Sequence, residues 1–239
     1  MYLKNKQFNF PEGELLLINK PIDWTSFDVV NKIRNLIKKS GNIAKIKVGH
    51  AGTLDPLATG LLIVGTGKFT KRLQEFQDYG KEYTGAITLG ATTPSFDLET
   101  EIDQKFSVKH IKESQIHETV KQFIGEQMQL PPLFSAKKVE GKKAYISARK
   151  GKDLKMNPQK ITIYEFEITG IEMPDVHFRI HCSKGTYIRS IASDFGKALK
   201  NGAHLSALCR TKIGKHLLDD ALEISEFELQ LSGQTVSLV

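Results

Sequence analysis

Apolar and polar positions along the chain change period repeatedly, and each change marks an element. GELLLINKP (13–21) reads as a short, continuously apolar strand ending at a turn. Thr25 or Ser26 can cap a helix running to about Lys39, with Phe27, Val30, Ile33 and Leu36 on one face. KIKVGH (45–50) predicts a strand, LLIVGTG (61–67) another, and a short helix around 69–76 follows. KEYTGAITLG (81–90) alternates as a strand does, and Ser107 is expected to cap a helix to about Phe123, with Val108, Ile111, Ile116 and Val120 inward. QKITIYEFEITGIEM (159–173) and DVHFRIHCS (175–183) predict a hairpin turning near Pro174 and Asp175. A helix over 186–200, a strand over 203–214 and a closing helix over 218–231 complete the pattern. Strands and helices mix without a βαβ rhythm. The expected class is α+β: a mixed, largely antiparallel sheet flanked by helices, in a single domain of 239 residues.

Composition narrows the setting. No stretch approaches the roughly 18–20 apolar residues that span a bilayer, and the N-terminus has no apolar signal region. Cys182 and Cys209 have neither disulfide-framework nor zinc spacing, so a reduced cytoplasm is the expected location. The net charge of +7 gains meaning once it is placed. Residues 134–160 carry nine basic and two acidic side chains, which accounts for the whole excess. The remaining chain holds 25 of each sign. Charge this concentrated, with Phe134 and Tyr145 inside it, suits a polyanionic partner. Lys137, Lys138, Lys142, Lys143 and Arg149 are the expected phosphate contacts on a basic insertion at about 130–160.

Several chemistries are disfavoured. There is no GxxxxGK[ST] loop, no GxGxxG opening a helix and no GxSxG elbow. His177 and His181 lie four apart, with no third ligand placed to join them, so no metal is expected. What remains is GHAGTLDPLATG (49–60), which sets one carboxylate, Asp55, in turn-forming sequence between apolar runs. Asp-Pro in a glycine-rich stretch is an ordinary turn. The same carboxylate is also a candidate nucleophile if a cation keeps it ionised. KGTYIRS (184–190) offers Arg189 for a bidentate pair; the alternative is that Arg189 merely pairs on the surface with Asp194 or a similar acid.

GHAGTLDPLATG resembles the catalytic motif of the bacterial TruB-type tRNA pseudouridine synthases, which isomerise uridine 55 in the T loop of tRNA. Further blocks agree in order: NKP (19–21), KEYTG (81–85), LPPLFSAKKVEGKKAY (130–145), ARKG (148–151), SKGTYIRSIASDFG (183–196) and GAHLSALCRTKIG (202–214). The resemblance implies the pseudouridine synthase fold with a thumb-like insertion over the basic segment. It implies Asp55 as nucleophile, Tyr83 stacking on the target base and aiding loss of the C5 proton, and Arg189 holding the Asp55 carboxylate. It further implies Tyr187 lining the pocket, His50 inserting into the T loop, and Lys20 and Leu208 lining or supporting the site. Both uracil C6 and ribose C1′ are open as the atom attacked.

Physical chemistry agrees with those roles. A uridine in a folded loop must be flipped out before its ring is reachable, and an aromatic face gives it a stacking surface worth ~1–3 kcal/mol. The isomerisation is redox-neutral and needs no cofactor or nucleotide. The expected partner is the T-arm stem-loop of tRNA, with no membrane, no required protein partner and a monomeric protein. Two departures from the family pattern stand out. The chain ends at Val239, where many members continue into a PUA domain, and Gln159 stands where an arginine is expected. A non-catalytic RNA-binding or tRNA-folding protein is the competing reading; it would share the basic insertion but have no use for Asp55, Tyr83 and Arg189 together.

Overall fold

A computed structural model of the chain describes residues 8–41, 43–134 and 156–233, together with the backbone of 138–139 and 142–143. These divide into two compact units: Met1–Tyr83 with Cys209–Val239, and Thr84–Leu208.

In the first unit, β1 (Leu15–Lys20) and β2 (Val48–Ala51) both pair antiparallel with β3 (Ala58–Thr66). Strand β12 (Ala203–Ile213) also neighbours β3, and β13 (His216–Leu217) turns back on β12. The continuous apolar runs of β1 and β3 have a simple cause: both faces of this sheet are covered. Leu16, Ile18, Leu62 and Val64 pack on one face with Val29, Val30, Ile33 and Phe227. Leu17, Leu61 and Ile63 pack on the other with Leu73 and Phe76.

The helix on the first face, α1 (Ser26–Ser40), starts at a capping box: Thr25 accepts from the Asp28 N–H at 3.1 Å while Asp28 accepts from the Thr25 N–H at 2.9 Å. Such a cap stabilises by about 1 kcal/mol. Its buried stripe is Val29, Val30, Ile33, Leu36 and Ile37. Phe27, expected inward, is 61% exposed. It stands about 120° from the middle of that stripe at 100° per residue. Strand β2 begins at Val48, so residues 45–47 lie outside it. A 3₁₀ turn (Gly67–Arg72) leads into α2 (Leu73–Gln77) where one short helix was expected.

In the second unit, β12 is followed in sheet order by β4 (Lys81–Leu89), β11 (Asp175–Cys182), β10 (Gln159–Glu172) and β7 (Gly125–Gln129). The β10–β11 hairpin forms as expected, and Val176, Phe178, Ile180 and Cys182 are buried along one face. On the other face Arg179 pairs with Glu165 and Glu167 at 2.8 and 2.9 Å. Two short pairs, β5 (Ala91–Thr92) with β6 (Gln104–Lys105) and β8 (Lys138–Val139) with β9 (Lys142–Lys143), stand apart from it.

Helix α3 spans Glu113–Lys121 rather than starting at Ser107. The Ser107 carbonyl accepts from the Asn201 amide at 2.9 Å, and the Ile111 N–H turns back to Val108 at 3.0 Å. A tertiary partner and a local turn therefore occupy the expected first turns of that helix. Helix α4 (Ile188–Ala198) follows the expected span closely. The closing helix is shorter than expected: α5 covers Ile224–Leu231, after a 3₁₀ turn at Leu218–Asp220. The class is α+β with a largely antiparallel sheet, as expected. Among the described residues no helix is long and apolar enough to cross a membrane.

Candidate active site

Asp55 sits, half-buried, in the connection between β2 and β3. Three buried side chains from distant parts of the first unit fix the backbone around it. Ser26, at the start of α1, donates from Oγ to the Leu54 carbonyl at 3.1 Å and accepts the Leu54 N–H at 2.9 Å. Lys20, at the end of β1 and fully buried, donates from Nζ to the carbonyls of Pro21, Trp24 and Pro56 at 2.8, 2.5 and 3.2 Å. Arg210, 1% exposed on β12, donates from Nε to the Leu61 carbonyl at 2.8 Å and from Nη2 to the Gly52 carbonyl at 2.9 Å. The residues on both sides of Asp55 are thus pinned through main-chain groups. A loop held in this way loses little freedom when a substrate arrives.

Glycine makes the close approach of Arg210 possible. Gly60 has φ +103°, and a Cβ there would land on the backbone of Arg210. Gly52 has φ +77°, and its Cβ position lies 3.4 Å from the guanidinium. Both positions favour glycine on backbone grounds as well.

Two titratable groups beside the loop are displaced in the same direction. Burial lowers the Lys20 ammonium to about 8, although the Asp55 carboxylate opposes the shift. His50, on β2, is lowered by burial and then by the positive charge of Arg210. Its Nδ1 is buried and has no hydrogen-bond partner among the described residues. A neutral imidazole therefore faces the environment of this loop near neutral pH.

Tyr83 is 9% exposed on β4. Strand alternation puts it on the same side as Lys81, whose Nζ donates to the carbonyls of Gln77 and Tyr79 at 2.6 Å each. Its neighbour Glu82 accepts from the Thr211 hydroxyl at 2.8 Å. The first unit therefore holds Lys20, His50, Asp55 and Tyr83; the charge of Asp55 acts on Lys20, and that of Arg210 on His50.

The second unit holds the other expected residues. Arg189, in the first turn of α4, is 4% exposed; its Nε lies 3.5 Å from Oδ2 of Asp97, itself 5% exposed. Arg189 also donates from Nη1 to the Ser95 carbonyl at 3.4 Å. The surface alternative fails, because Arg189 is buried beside a buried acid, and Asp194 pairs instead with Lys197 at 2.9 Å. Tyr187, the residue before α4, is clamped through its backbone. Its N–H donates to Gln129 Oε1 at 2.8 Å, and Gln129 Nε2 donates to its carbonyl at 3.0 Å. Gln159 donates from Nε2 to the Gly185 carbonyl at 2.5 Å, so the residue standing in place of an arginine secures the turn before α4. Leu208 is half-buried on β12. Lys137 and Arg149 lie outside the described residues, as do the side chains of Lys138, Lys142 and Lys143.

Three supporting residues escaped the sequence reading. Ser26 stood out only as a possible helix cap. Asp97 sits in TTPSFDLET with no signal beyond a lone acid, and Arg210 reads as one more basic residue on a strand. Among the described residues, no group of three or more His, Cys, Asp or Glu side chains is placed to hold a metal ion.

Residues 38–188 match the family described as TruB family pseudouridylate synthase (N terminal domain). A protein of Flavobacterium johnsoniae named tRNA pseudouridine synthase B is 58% identical over 221 residues, covering 92% of this chain and 96% of that protein. A protein of Phocaeicola vulgatus with the same name is 51% identical, covering 97% of this chain and 98% of that one. Among solved structures, a Cbf5-Nop10-Gar1 complex contains a chain 30% identical with a TM-score of 0.69. It covers 95% of this chain, which spans 58% of its length. An H/ACA RNP bound to a substrate RNA containing 2′-deoxyuridine is similar at 28% identity and a TM-score of 0.66, covering 95% of this chain and 57% of that one. With the family match and these relatives spanning nearly its whole length, the chain belongs to the TruB family of pseudouridylate synthases.

Proposed function

We propose that this protein isomerises uridine to pseudouridine at position 55 in the T loop of tRNA, with Asp55 as the nucleophile. The observation that carries the reading is the pinned loop: Ser26, Lys20 and Arg210 hold the residues around one half-buried carboxylate. A mere turn needs no such scaffold. The names of the relatives support tRNA as the substrate.

The reaction breaks the N1–C1′ bond, turns the uracil and joins C5 to C1′, while the C5 proton leaves and N1 gains one. Atoms and electrons balance without oxidant, reductant or nucleotide. The target uridine is flipped from the loop into the site. Tyr83 stacks on its base and aids removal of the C5 proton, while Tyr187 and Leu208 line the pocket. His50 fills the space the base vacates, and its lowered pKa supports entry as a neutral ring. Lys20 supports the loop. Arg189 supplies the cation that a desolvated Asp55 carboxylate requires, and Asp97 orients Arg189. Lys137, Lys138, Lys142, Lys143 and Arg149 engage backbone phosphates of the T arm. In this reading residues 1–239 are a single catalytic domain with a basic insertion at about 130–160. The protein acts as a monomer in the cytoplasm.

The test uses a T-arm stem-loop carrying C5-tritiated uridine, incubated without metal or nucleotide. The wild type should release tritium from the T-loop uridine and Asp55→Asn should not. Tight binding without release by the wild type, on the stem-loop and on full tRNA, would return the protein to the class of RNA binders.

A further inference from the structure

The first unit carries a second basic feature that the charge of residues 134–160 does not include. A groove of about 260 Å³ opens where the chain enters β2 and leaves β3. Lys45 and Lys47 line one wall; Gly67, Lys68, Thr70 and Lys71 line the other. Backbone hydrogen bonds lock the walls together: the Gly67 N–H donates to the Lys47 carbonyl at 2.9 Å, and the Lys68 N–H to the Pro11 carbonyl at 3.2 Å. Ile46 is buried, which leaves Lys45 and Lys47 to face outward on either side of it.

Charge in this groove is poorly neutralised. Lys68 pairs with Glu12 at 2.7 Å, both largely exposed. Lys45, Lys47 and Lys71 form no ion pair among the described residues. Elsewhere Lys32, Lys121, Lys160 and Lys197 each have a carboxylate within 3.1 Å. Three uncompensated like charges gathered beside the paired Lys68 repel one another, and an anion relieves that repulsion. The groove is smaller than the ~300–1,000 Å³ of a small-molecule pocket, so a single phosphate group fits it better than a nucleotide.

Its position relative to Asp55 fits an extended ligand. The β2–β3 pair runs from Val48↔Thr66 to Ala51↔Ile63, with the groove at one end and the Asp55 loop at the other. Lys47 to Ala51 spans about 14 Å at ~3.4 Å per residue. A nucleic-acid strand carries one phosphate per nucleotide, so a nucleotide held at Asp55 puts phosphates a few steps along the strand within reach of this groove.

We infer that Lys45, Lys47 and Lys71, with Lys68, form a phosphate-binding groove that grips the RNA backbone of the substrate outside the flipped nucleotide. This rests on the proposed reaction only for the identity of the RNA.

The experiment measures Kd for the T-arm stem-loop and for full tRNA between about 50 and 200 mM salt. Replacing Lys45, Lys47 and Lys71 together by Gln should weaken binding ~10–50-fold at low salt and reduce the log–log salt slope by ~2–3. Single substitutions should each lower the slope by ~1, which keeps the test open if the triple variant fails to fold. A control replaces Lys39, Lys105 and Lys109 by Gln, the same loss of charge on exposed lysines elsewhere. An unchanged slope in the groove variants overturns the inference, and so does an equal loss in the control. Should the wild type form no pseudouridine, the catalytic reading falls, while the slopes still decide the groove.

Discussion

Ser26 and Leu54 exchange two hydrogen bonds, at 3.1 and 2.9 Å, that join the first residue of helix α1 to the residue before Asp55. One hydroxyl thereby satisfies both main-chain groups of a residue only 4% exposed. Ser26→Ala leaves them unpaired, at a cost of about 1–3 kcal/mol in stability. Because the loop then drifts, single-turnover pseudouridine formation should fall ~10–100-fold, well beyond what the lost stability explains in a protein still folded. Urea unfolding and single-turnover rates on the same preparation check this. A stability loss with an unchanged rate would reduce Ser26 to a helix-start residue.

Gly60 and Arg210 form a second buried support. A methyl group at position 60 would collide with the Arg210 backbone, and φ +103° is unfavourable for any L side chain. Gly60→Ala should therefore lower stability by about 2–4 kcal/mol, read as a drop in Tm. Arg210→Lys acts differently. An ammonium on a shorter arm cannot span the Leu61 and Gly52 carbonyls as the planar guanidinium does. Its expected signature is a reduced rate with a smaller change in Tm than Gly60→Ala produces.

Much of this scaffold was legible in the sequence, and the failures share a cause. The runs LLLI and LLIV announce strands buried on both faces, and the alternation from Val176 to Cys182 announces a strand with one buried face. Asp55, Tyr83 and Arg189 stand out because the family motif surrounds them. What periodicity cannot show is a partner far along the chain. Ser107 looks like a helix cap until Asn201 takes its carbonyl. Arg210 looks like a surface cation until β12 carries it to Leu61 and Gly52. The basic groove escapes charge counting because its lysines come from 45–47 and 68–71, inside a remainder of the chain that sums to zero. Only the β2–β3 pairing brings them together.

Asp97 offers a test of how Arg189 is held. Both are almost fully buried, and the Nε–Oδ2 separation of 3.5 Å makes this a loose ion pair. Asp97→Asn leaves the Arg189 charge less compensated, costing about 1–3 kcal/mol in stability. The rate of pseudouridine formation should fall at saturating RNA, while RNA affinity changes little. Asp194→Asn, which breaks only the exposed pair with Lys197, should leave the rate and stability within about 0.5 kcal/mol of wild type. Equal effects of the two substitutions would show that Asp97 acts through general charge rather than through Arg189.

His50 makes stability depend on pH with a definite sign. Burial and then the charge of Arg210 lower its folded pKa below the ordinary value of 6.5. The unfolded chain therefore binds a proton more readily than the folded one between the lowered pKa and 6.5, and stability rises with pH across that window. The contribution is fully present above 6.5 and is lost as pH falls toward the folded pKa. His50→Gln removes this dependence while keeping a polar side chain of similar reach. Urea unfolding at pH 7.5 and near pH 5 should show the wild type losing more stability than the variant over that interval. Parallel losses would mean that His50 titrates alike folded and unfolded. Entry of His50 into the RNA loop as a neutral ring would then have no physical basis.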